Sequence, residues 1–442
     1  ACLVWDRNRK VVDAIDFTHA SSGPRAGIPV PMSPRGMLAL HAKYGLHPWT
    51  QVLGHAETLA RMGHPVSRAL ARTLATSPAV RSDAGLAAIF ADKSGNPVAE
   101  GTNLRQIALA ATLSQLRRNP THYLQGSFLQ RLAQDYQRVG IPMTVDDLKA
   151  GVPRFVKPVE ITYGNQQAYF PPTAGGLVTA QLWAMIFRER GWEDSDDDAR
   201  AGMLAAASKR AYADAGRWFH APGPVTGDAQ ALVSESRIRA LWKTYRPGQI
   251  SPVRVADGGA PVEEPVDQGS TTIITADAYG QSVACGFTMN GVMGMGRMAP
   301  ETGIVVAAPP DPSGRGQAMM AIMALRLESQ DQLEYMGAGS GSAAVPLTLA
   351  AGAARMIFER STAESILAAP RFYHPARPDR VVIENAGLAG VGERLRKLGY
   401  AVVGAPSLGR VNLFVCPAGF NGRESQCAVR TDRRAFGLAQ QN

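Results

Sequence analysis

Residues 267–274 read Asp-Gln-Gly-Ser-Thr-Thr-Ile-Ile, so three successive hydroxyl side chains, Ser270, Thr271 and Thr272, head a β-branched run. They follow a segment, 250–269, with three prolines, three glycines, four carboxylates and no periodicity, the pattern of a linker or exposed loop. Ser and Thr open many ordinary strands and turns. In this setting they also suit a second chemistry, that of a nucleophile placed at a new chain end. If the backbone is cut before such a residue, its own α-amine stands beside its own hydroxyl as general base. An unperturbed α-amine has a pKa of about 7.7–8.0, so a useful fraction accepts a proton near neutrality. A flexible approach segment is what such a cut requires. The second candidate is Gly337-Ala-Gly-Ser-Gly-Ser342, whose glycines let backbone N–H groups converge on an anion, or form a plain turn before a helix.

Other chemistries find no matching pattern. The eight histidines include no HExxH or other i, i+4 ligand pair, and the four cysteines (Cys2, Cys285, Cys416, Cys427) include no CxxC. The spacing therefore argues against a zinc site or a disulfide scaffold and leaves room for one or two bridges. No GxxxxGK[ST] and no strand-placed GxGxxG occurs, so neither a nucleotide nor any other cofactor is implied, and no metal. The net charge of +9 comes from basic residues scattered along the chain without aromatic interleaving. It argues for solubility and affinity for anions, not for nucleic acid. No apolar run approaches the ~18 residues of a membrane span.

The elements that must position these residues are legible in outline. Residues 1–6 and 11–17 read as strands around a turn at 7–10. Helical periodicity covers 37–74, broken at Gly45, Pro48 and Gly63, and two more helices span 103–139. Thr144 is placed to cap a further helix. Residues 155–163 and 167–170 read as strands, with Pro158 marking a sheet edge. Residues 175–188 and 203–218 read as helices around an acidic loop at 192–200. Strands follow at 271–276, 282–289 and 303–308, a helix at 316–329, another at 343–360, and a tail of short strands. Helices first and strands after, in 442 residues, suggest a layered α+β or αββα fold.

Several segments, in order, resemble the γ-glutamyltranspeptidase family. Gly280-Gln-Ser-Val-Ala-Cys-Gly-Phe-Thr-Met-Asn290 and Gly294-Met-Gly-Arg-Met-Ala-Pro-Glu-Thr-Gly-Ile304 resemble the start of its small subunit. Ala14-Ile-Asp-Phe17 resembles its AIDF strand, and Pro31, Gly36 and the stretch from Leu38 to Gly45 its PGTVxG…LALxxYG segment. Pro171-Pro172…Gly175-Gly176 resembles PPxSSGG, Ala369-Pro-Arg-Phe372 its APRF turn, and Asp432-Arg433 its late DPR. The resemblance spans essentially the whole chain. Relative to the family it lacks an opening segment, and it starts inside a strand with no charged n-region and apolar h-region. The family is periplasmic or secreted.

The resemblance implies an α+β fold of the Ntn-hydrolase αββα four-layer type. It implies self-cleavage into large and small subunits, here 1–269 and 270–442, which remain one folded unit acting on a small-molecule amide or peptide. The family's nucleophile is a Thr that begins the small subunit. Ungapped register from Gly280 puts Ser270 there, and one deletion puts Thr271 there. Ser270 is preferred because Gly269 precedes it and Asp277 and Gly280 stay in register. Thr288 matches a Thr that hydrogen-bonds the nucleophile. Asn290 matches a residue that helps hold the substrate's α-amine, and Ser340 and Gly341 match the paired oxyanion glycines. Three substrate contacts differ. Thr18 stands where the family has an Arg for the γ-glutamyl α-carboxylate, Asp311 is one place off its amine-binding Asp, and Ala318-Met319 replace a serine pair. His19, Arg297 and Arg315 are the nearby alternatives for holding a carboxylate. Three activities follow in turn: a γ-glutamyl-type amidohydrolase or acyltransferase, an acylase with an altered acyl pocket, or an unprocessed, non-catalytic homologue.

The linker and the hydroxyl run together predict a cut before Ser270, giving fragments of 269 and 173 of the 442 residues. On electrophoresis, Ser270→Ala should leave one full-length band while Thr271→Ala is still cut. The opposite pattern moves the nucleophile to Thr271.

Overall fold

A computed structural model describes residues 1–18, 27–218, 228–250, 252–253, 269–309, 320–422 and 427–441, the side chains of 122–124 and 189 excepted. They form two compact units, one of Ala1–Asp16, Phe155–Phe287 and Asp311–Asn442, the other of Phe17–Arg154 and Thr288–Pro310.

The first unit is built on two large sheets and holds a small three-stranded one, of Phe372–Tyr373, Val381–Glu384 and Val402–Ala405. One has five strands in the order β3-β2-β1-β7-β6, where β1 is Cys2–Asp6, β2 Val11–Asp16, β3 Arg154–Val156, β6 Ser270–Ala276 and β7 Ser282–Thr288. The other has six, β11-β10-β9-β8-β5-β4, with β4 Val159–Tyr163, β5 Gln166–Phe170, β8 Ala321–Leu327, β9 Gln332–Ser340, β10 Arg410–Phe420 and β11 Ala428–Arg430. Pro158 separates β3 from β4, and these short neighbours end up in different sheets.

Alternation along the strands divides the six-stranded sheet into two working faces. Met336, Ala338, Phe414 and Cys416 meet Leu3, Trp5, Val12 and Ala284 of the five-stranded sheet in one apolar core. Tyr335, Val411, Leu413 and Val415 point the other way. They pack on a helical layer made of α1 (Ala174–Ile186), α2 (Asp197–Trp218) and α3 (Val345–Glu359). Helix α1 is buried all round, which suits a core helix better than an amphipathic one. Its first turn lies so close to the sheet that a Cβ on Gly175 would sit 2.1 Å from the Met320 carbonyl oxygen. One on Gly176 would sit 2.1 Å from that of Pro171. The glycine pair after the two prolines is thus a requirement of packing.

Three expectations are corrected. Residues 321–327 are a central strand, not part of a helix over 316–329: the run Ala-Ile-Met-Ala-Leu-Arg-Leu is buried save Arg326, and a short apolar run has no period that separates a buried strand from a helix. Residues 337–340 continue β9 instead of forming a turn. Helix α2 starts at Asp197, inside the stretch read as a loop, because Asp197 and Asp198 suit the positive end of a helix dipole. Of the one or two bridges that the spacing left open, the cysteines close two: Cys2–Cys285 between directly paired residues of β1 and β7, and Cys416–Cys427 at β10.

The second unit is helical. Ser33–Tyr44, Trp49–Met62, Arg68–Thr76, Ile107–Arg118, Pro120–Gln125 and Ser127–Arg138 carry it, three helices where two were expected after residue 103. Thr144 and Asp147 form a reciprocal capping box at the head of Val145–Ala150. Buried Asp135 accepts bonds from the Thr302 amide and hydroxyl, both at 2.9 Å, tying the 299–303 turn to the Ser127–Arg138 helix.

Glu334 sits at the bulge between Leu333 and Tyr335 in β9, 5% exposed. Burial pushes its carboxyl up to about 7, against opposing pulls from Gln166 and Arg360. A carboxyl raised in the folded state takes up a proton on folding between pH 4.5 and 7, so its contribution falls as pH rises through that window. Glu334→Gln should therefore gain stability over the parent at pH 8 relative to pH 5, read from denaturant midpoints at the two pH values.

Candidate active site

The period of two along β6 separates the hydroxyl run. Ser270, Thr272 and Ile274 are half-buried, while Thr271 and Ile273 face out, Ile273 at 52% exposure. Ile274 packs against the inter-sheet core, so Ser270 and Thr272 share its inward face. Thr271, the alternative nucleophile, is on the outward face.

The end of the sandwich that Ser270 occupies follows from two contacts. The 277–281 turn closing the β6–β7 hairpin lies against Gly422, just beyond the C-terminal end of β10: a Cβ there would meet the Ala278 carbonyl oxygen at 2.3 Å. Further back, the Thr272 hydroxyl donates to the Ala338 carbonyl at 3.3 Å, and the Asn412 amide donates to the Thr272 hydroxyl at 3.0 Å. Ala338 and Asn412 are paired across β9 and β10. Strand β6 thus runs alongside β10 in the same direction, and its first residue, Ser270, lies toward the rung where Ser340 pairs with Arg410. Ser340 ends β9 and is 3% exposed, and Gly341 turns the chain with φ +89°, a value that favours glycine. The candidate nucleophile and the candidate oxyanion turn are therefore at one end of the two-sheet core. Gly269, φ +56°, also takes a left-handed conformation just before Ser270.

The Ser340–Gly341 turn rests on a buried ionic clamp. Gly409 is the nearest group beside the open Cβ position of Gly341, its Cα 3.8 Å away. The Arg371 guanidinium donates to the carbonyls of Gly409 (2.8 Å) and Leu408 (3.2 Å) and pairs with Asp432. Asp432 in turn accepts from the Val411 amide at 2.9 Å, and Glu384 from the Leu408 amide at 3.0 Å, with Arg434 pairing both carboxylates. Burial raises the Glu384 carboxyl, but the Arg434 side chain and the Arg371 and Leu408 amides outweigh it and hold the group below its ordinary range. The APRF and DPR motifs thus meet in space through Arg371 and Asp432, and they fix the 408–411 loop.

In the other unit, Thr288 accepts from the Asn290 amide at 2.9 Å, and the Asn290 side chain donates to the Ala308 carbonyl at 3.0 Å. Asn290 is in the left-handed region (φ 55°), and its buried Oδ1 has no donor among the described residues. Thr18 is half-buried beyond the end of β2. Arg297 is committed to the Val139 carbonyl at 2.6 Å. Asp311, His19, Arg315 and the Ala318-Met319 pair lie outside the described residues. Thr272 and Asn412 were missed in the sequence. The alternation of Ser270, Thr272 and Ile274 was the available signal for Thr272; Asn412 had none.

Breaking one partner of a buried ion pair strands a charge and costs about 3–5 kcal/mol. Arg371→Ala should lower unfolding stability by that order and slow any cleavage before Ser270. An Arg371→Met, Asp432→Leu double variant should recover much of the stability in the same urea titration.

Comparison with known proteins bears on the family and the fold. The Gamma-glutamyltranspeptidase family model matches residues 11–437. The glutathione hydrolase proenzyme of Escherichia coli is 27% identical over 379 residues, 78% of this chain and 63% of that one. The oxamate amidohydrolase proenzyme of Klebsiella pneumoniae is 28% identical over 264 residues, 58% of this chain and 48% of that one. The chain thus spans about half to three-fifths of the length of these relatives. The cephalosporin acylase structure from Bacillus halodurans superposes with a TM-score of 0.78 over 98% of this chain and 85% of that one, at 18% identity, which identifies the shared Ntn-hydrolase αββα fold. By family model and by fold, the chain is a member of the γ-glutamyltranspeptidase family.

Proposed function

We propose that this chain is an amide hydrolase and acyltransferase whose nucleophile is Ser270, released by self-cleavage after Gly269. The observation that carries the reading is the inward face of β6: Ser270 shares it with Thr272, which bonds the strand ending at Ser340 and Gly341, while Thr271 faces out.

In maturation, Ser270 Oγ attacks the Gly269 carbonyl carbon, and its proton passes to the Ser270 nitrogen as the C–N bond breaks. Water hydrolyses the resulting ester, leaving a carboxylate on Gly269 and a free α-amine on Ser270. In turnover that amine takes the Oγ proton as Oγ attacks the substrate amide. Backbone N–H groups of the Ser340–Gly341 turn face the developing oxyanion, and the leaving amine receives the proton. Water or an acceptor amine then releases the acyl group and restores Oγ. The two products of maturation are the large and small subunits, 1–269 and 270–442, kept together in one αββα body.

For the substrate, we favour an acyl group other than zwitterionic γ-glutamyl. A carboxylate in a desolvated site calls for a forked, charged partner, and Thr18 offers a hydroxyl where the family has that Arg. The Asn290 Oδ1 supports retention of an ammonium or amide donor in the substrate. The oxamate amidohydrolase and cephalosporin acylase among the similar proteins support the breadth of acyl groups that this scaffold accepts.

Losing a charge-assisted contact costs about 1.5–3 kcal/mol, roughly tenfold to a hundredfold. Hydrolysis of butyryl-p-nitroanilide should exceed that of γ-glutamyl-p-nitroanilide in kcat/KM, and Thr18→Arg alone should change the ratio little. Saturable turnover of the γ-glutamyl anilide at micromolar KM restores the ordinary family substrate. A chain that stays uncleaved with Ser270 intact refutes the nucleophile and leaves a non-catalytic homologue.

A further inference from the structure

The inter-sheet core is apolar along most of its length, and apolar contact is non-directional. It holds two sheets face to face without fixing the offset of one strand along another. A nucleophile, by contrast, must be held within about 0.5 Å of its working position. A directional contact near Ser270 is needed, and the structure has one at the second residue along. Asn412 Nδ2 donates to the Thr272 carbonyl at 3.2 Å and to Thr272 Oγ1 at 3.0 Å, and the Oγ1 hydroxyl in turn donates to the Ala338 carbonyl at 3.3 Å. Asn412 and Ala338 are the directly paired residues of β9 and β10, one inward-facing position before Arg410 and Ser340. The core-facing neighbours of Asn412 along β10 are Phe414 and Cys416, so its amide is a polar group at the edge of an apolar face.

Resting on the reading of Ser270 as nucleophile, we infer that Asn412 is a positioning residue: through Thr272 it sets the offset of β6, and hence of Ser270, against the Ser340–Gly341 turn. Both ends of the contact are defined by the same rung, so movement of the oxyanion turn carries the nucleophile with it. A slip of β6 by one residue turns Thr272 and Ser270 outward, and a slip by two moves them about 7 Å. The bonds Asn412 makes oppose both.

The test uses the full chain, with self-cleavage followed by electrophoresis and butyryl-p-nitroanilide hydrolysis followed after maturation. Asn412→Leu removes the amide at similar size, Thr272→Val removes the hydroxyl at similar shape, and Thr272→Ser keeps it. Asn412→Leu and Thr272→Val should each slow cleavage and lower kcat by about tenfold to a hundredfold, with KM within about twofold of the parent. Thr272→Ser should keep the parent rates, and the double variant should be no slower than either single one. Parent rates in Asn412→Leu, or equal losses in Thr272→Ser and Thr272→Val, overturn the inference. Ser270→Ala separates the two ideas. If that variant is still cut, the nucleophile assignment fails; if it stays whole while Asn412→Leu matures and turns over normally, only the role of Asn412 fails.

Discussion

Face-to-face packing of the five- and six-stranded sheets is the constraint on which the rest of this molecule depends. The core between them is built from one face of each strand, so every residue that belongs to it is decided by a period of two. That period assigns Ser270 and Thr272 to the interior and Thr271 to the outside. The same packing brings β6, which begins 130 residues or more before the 408–411 loop, alongside β10 and toward the turn at Ser340. Sequence-distant groups meet because the two sheets bury their apolar faces against each other.

Around that core, charge acts at the periphery and not at the centre. The Arg371–Asp432 and Arg434–Glu384 pairs are buried behind the Ser340–Gly341 turn, with the guanidinium and carboxylate groups also bonded to the backbone of Leu408, Gly409 and Val411. A buried pair of this kind adds little net stability, because desolvation offsets its Coulomb attraction. It does satisfy three backbone groups of Leu408 and Gly409, just before β10, and the amide of Val411 at its start. The loop then supports Gly341, whose left-handed conformation leaves its surroundings open on the Gly409 side. The division of labour is clear: apolar burial holds the layers, and ionic and amide bonds hold the loops that present chemistry.

The substrate side follows a different logic from the scaffold. Gly175-Gly176, Arg371 and Asp432 are demanded by backbone approach and by buried charge, and they stand where the family has them. Thr18, by contrast, is half-buried beyond the end of β2, and under the proposed function it stands where a substrate carboxylate would call for an Arg. Scaffold residues answer to the interior of the protein, whereas acyl-pocket residues answer to a ligand. That difference is why one fold accommodates different acyl groups.

Much of this was legible in the sequence. The opening hairpin, the capped helix at Thr144, the helices at 174–186 and 345–359, and the ordered motifs of the family all depend on local periodicity or on short collinear patterns. The candidate nucleophile and oxyanion turn were also visible, because Gly269-Ser270 and Ser340-Gly341 are contiguous pairs. Tertiary structure decided the rest. Residues 321–327 read as helix because an unbroken apolar run has no period, and only burial on both faces of a sheet made it β8. The cysteine pairing needed β1 beside β7, since a spacing of 283 residues carries no geometric information. The placing of Ser270 rather than Thr271 on the inward face, and the contact of Asn412 with Thr272, came from the packing of one sheet on another. Gly269 and the register of Asp277 and Gly280 favoured Ser270 locally, but the side of the strand on which the core lies is what sets it apart from Thr271.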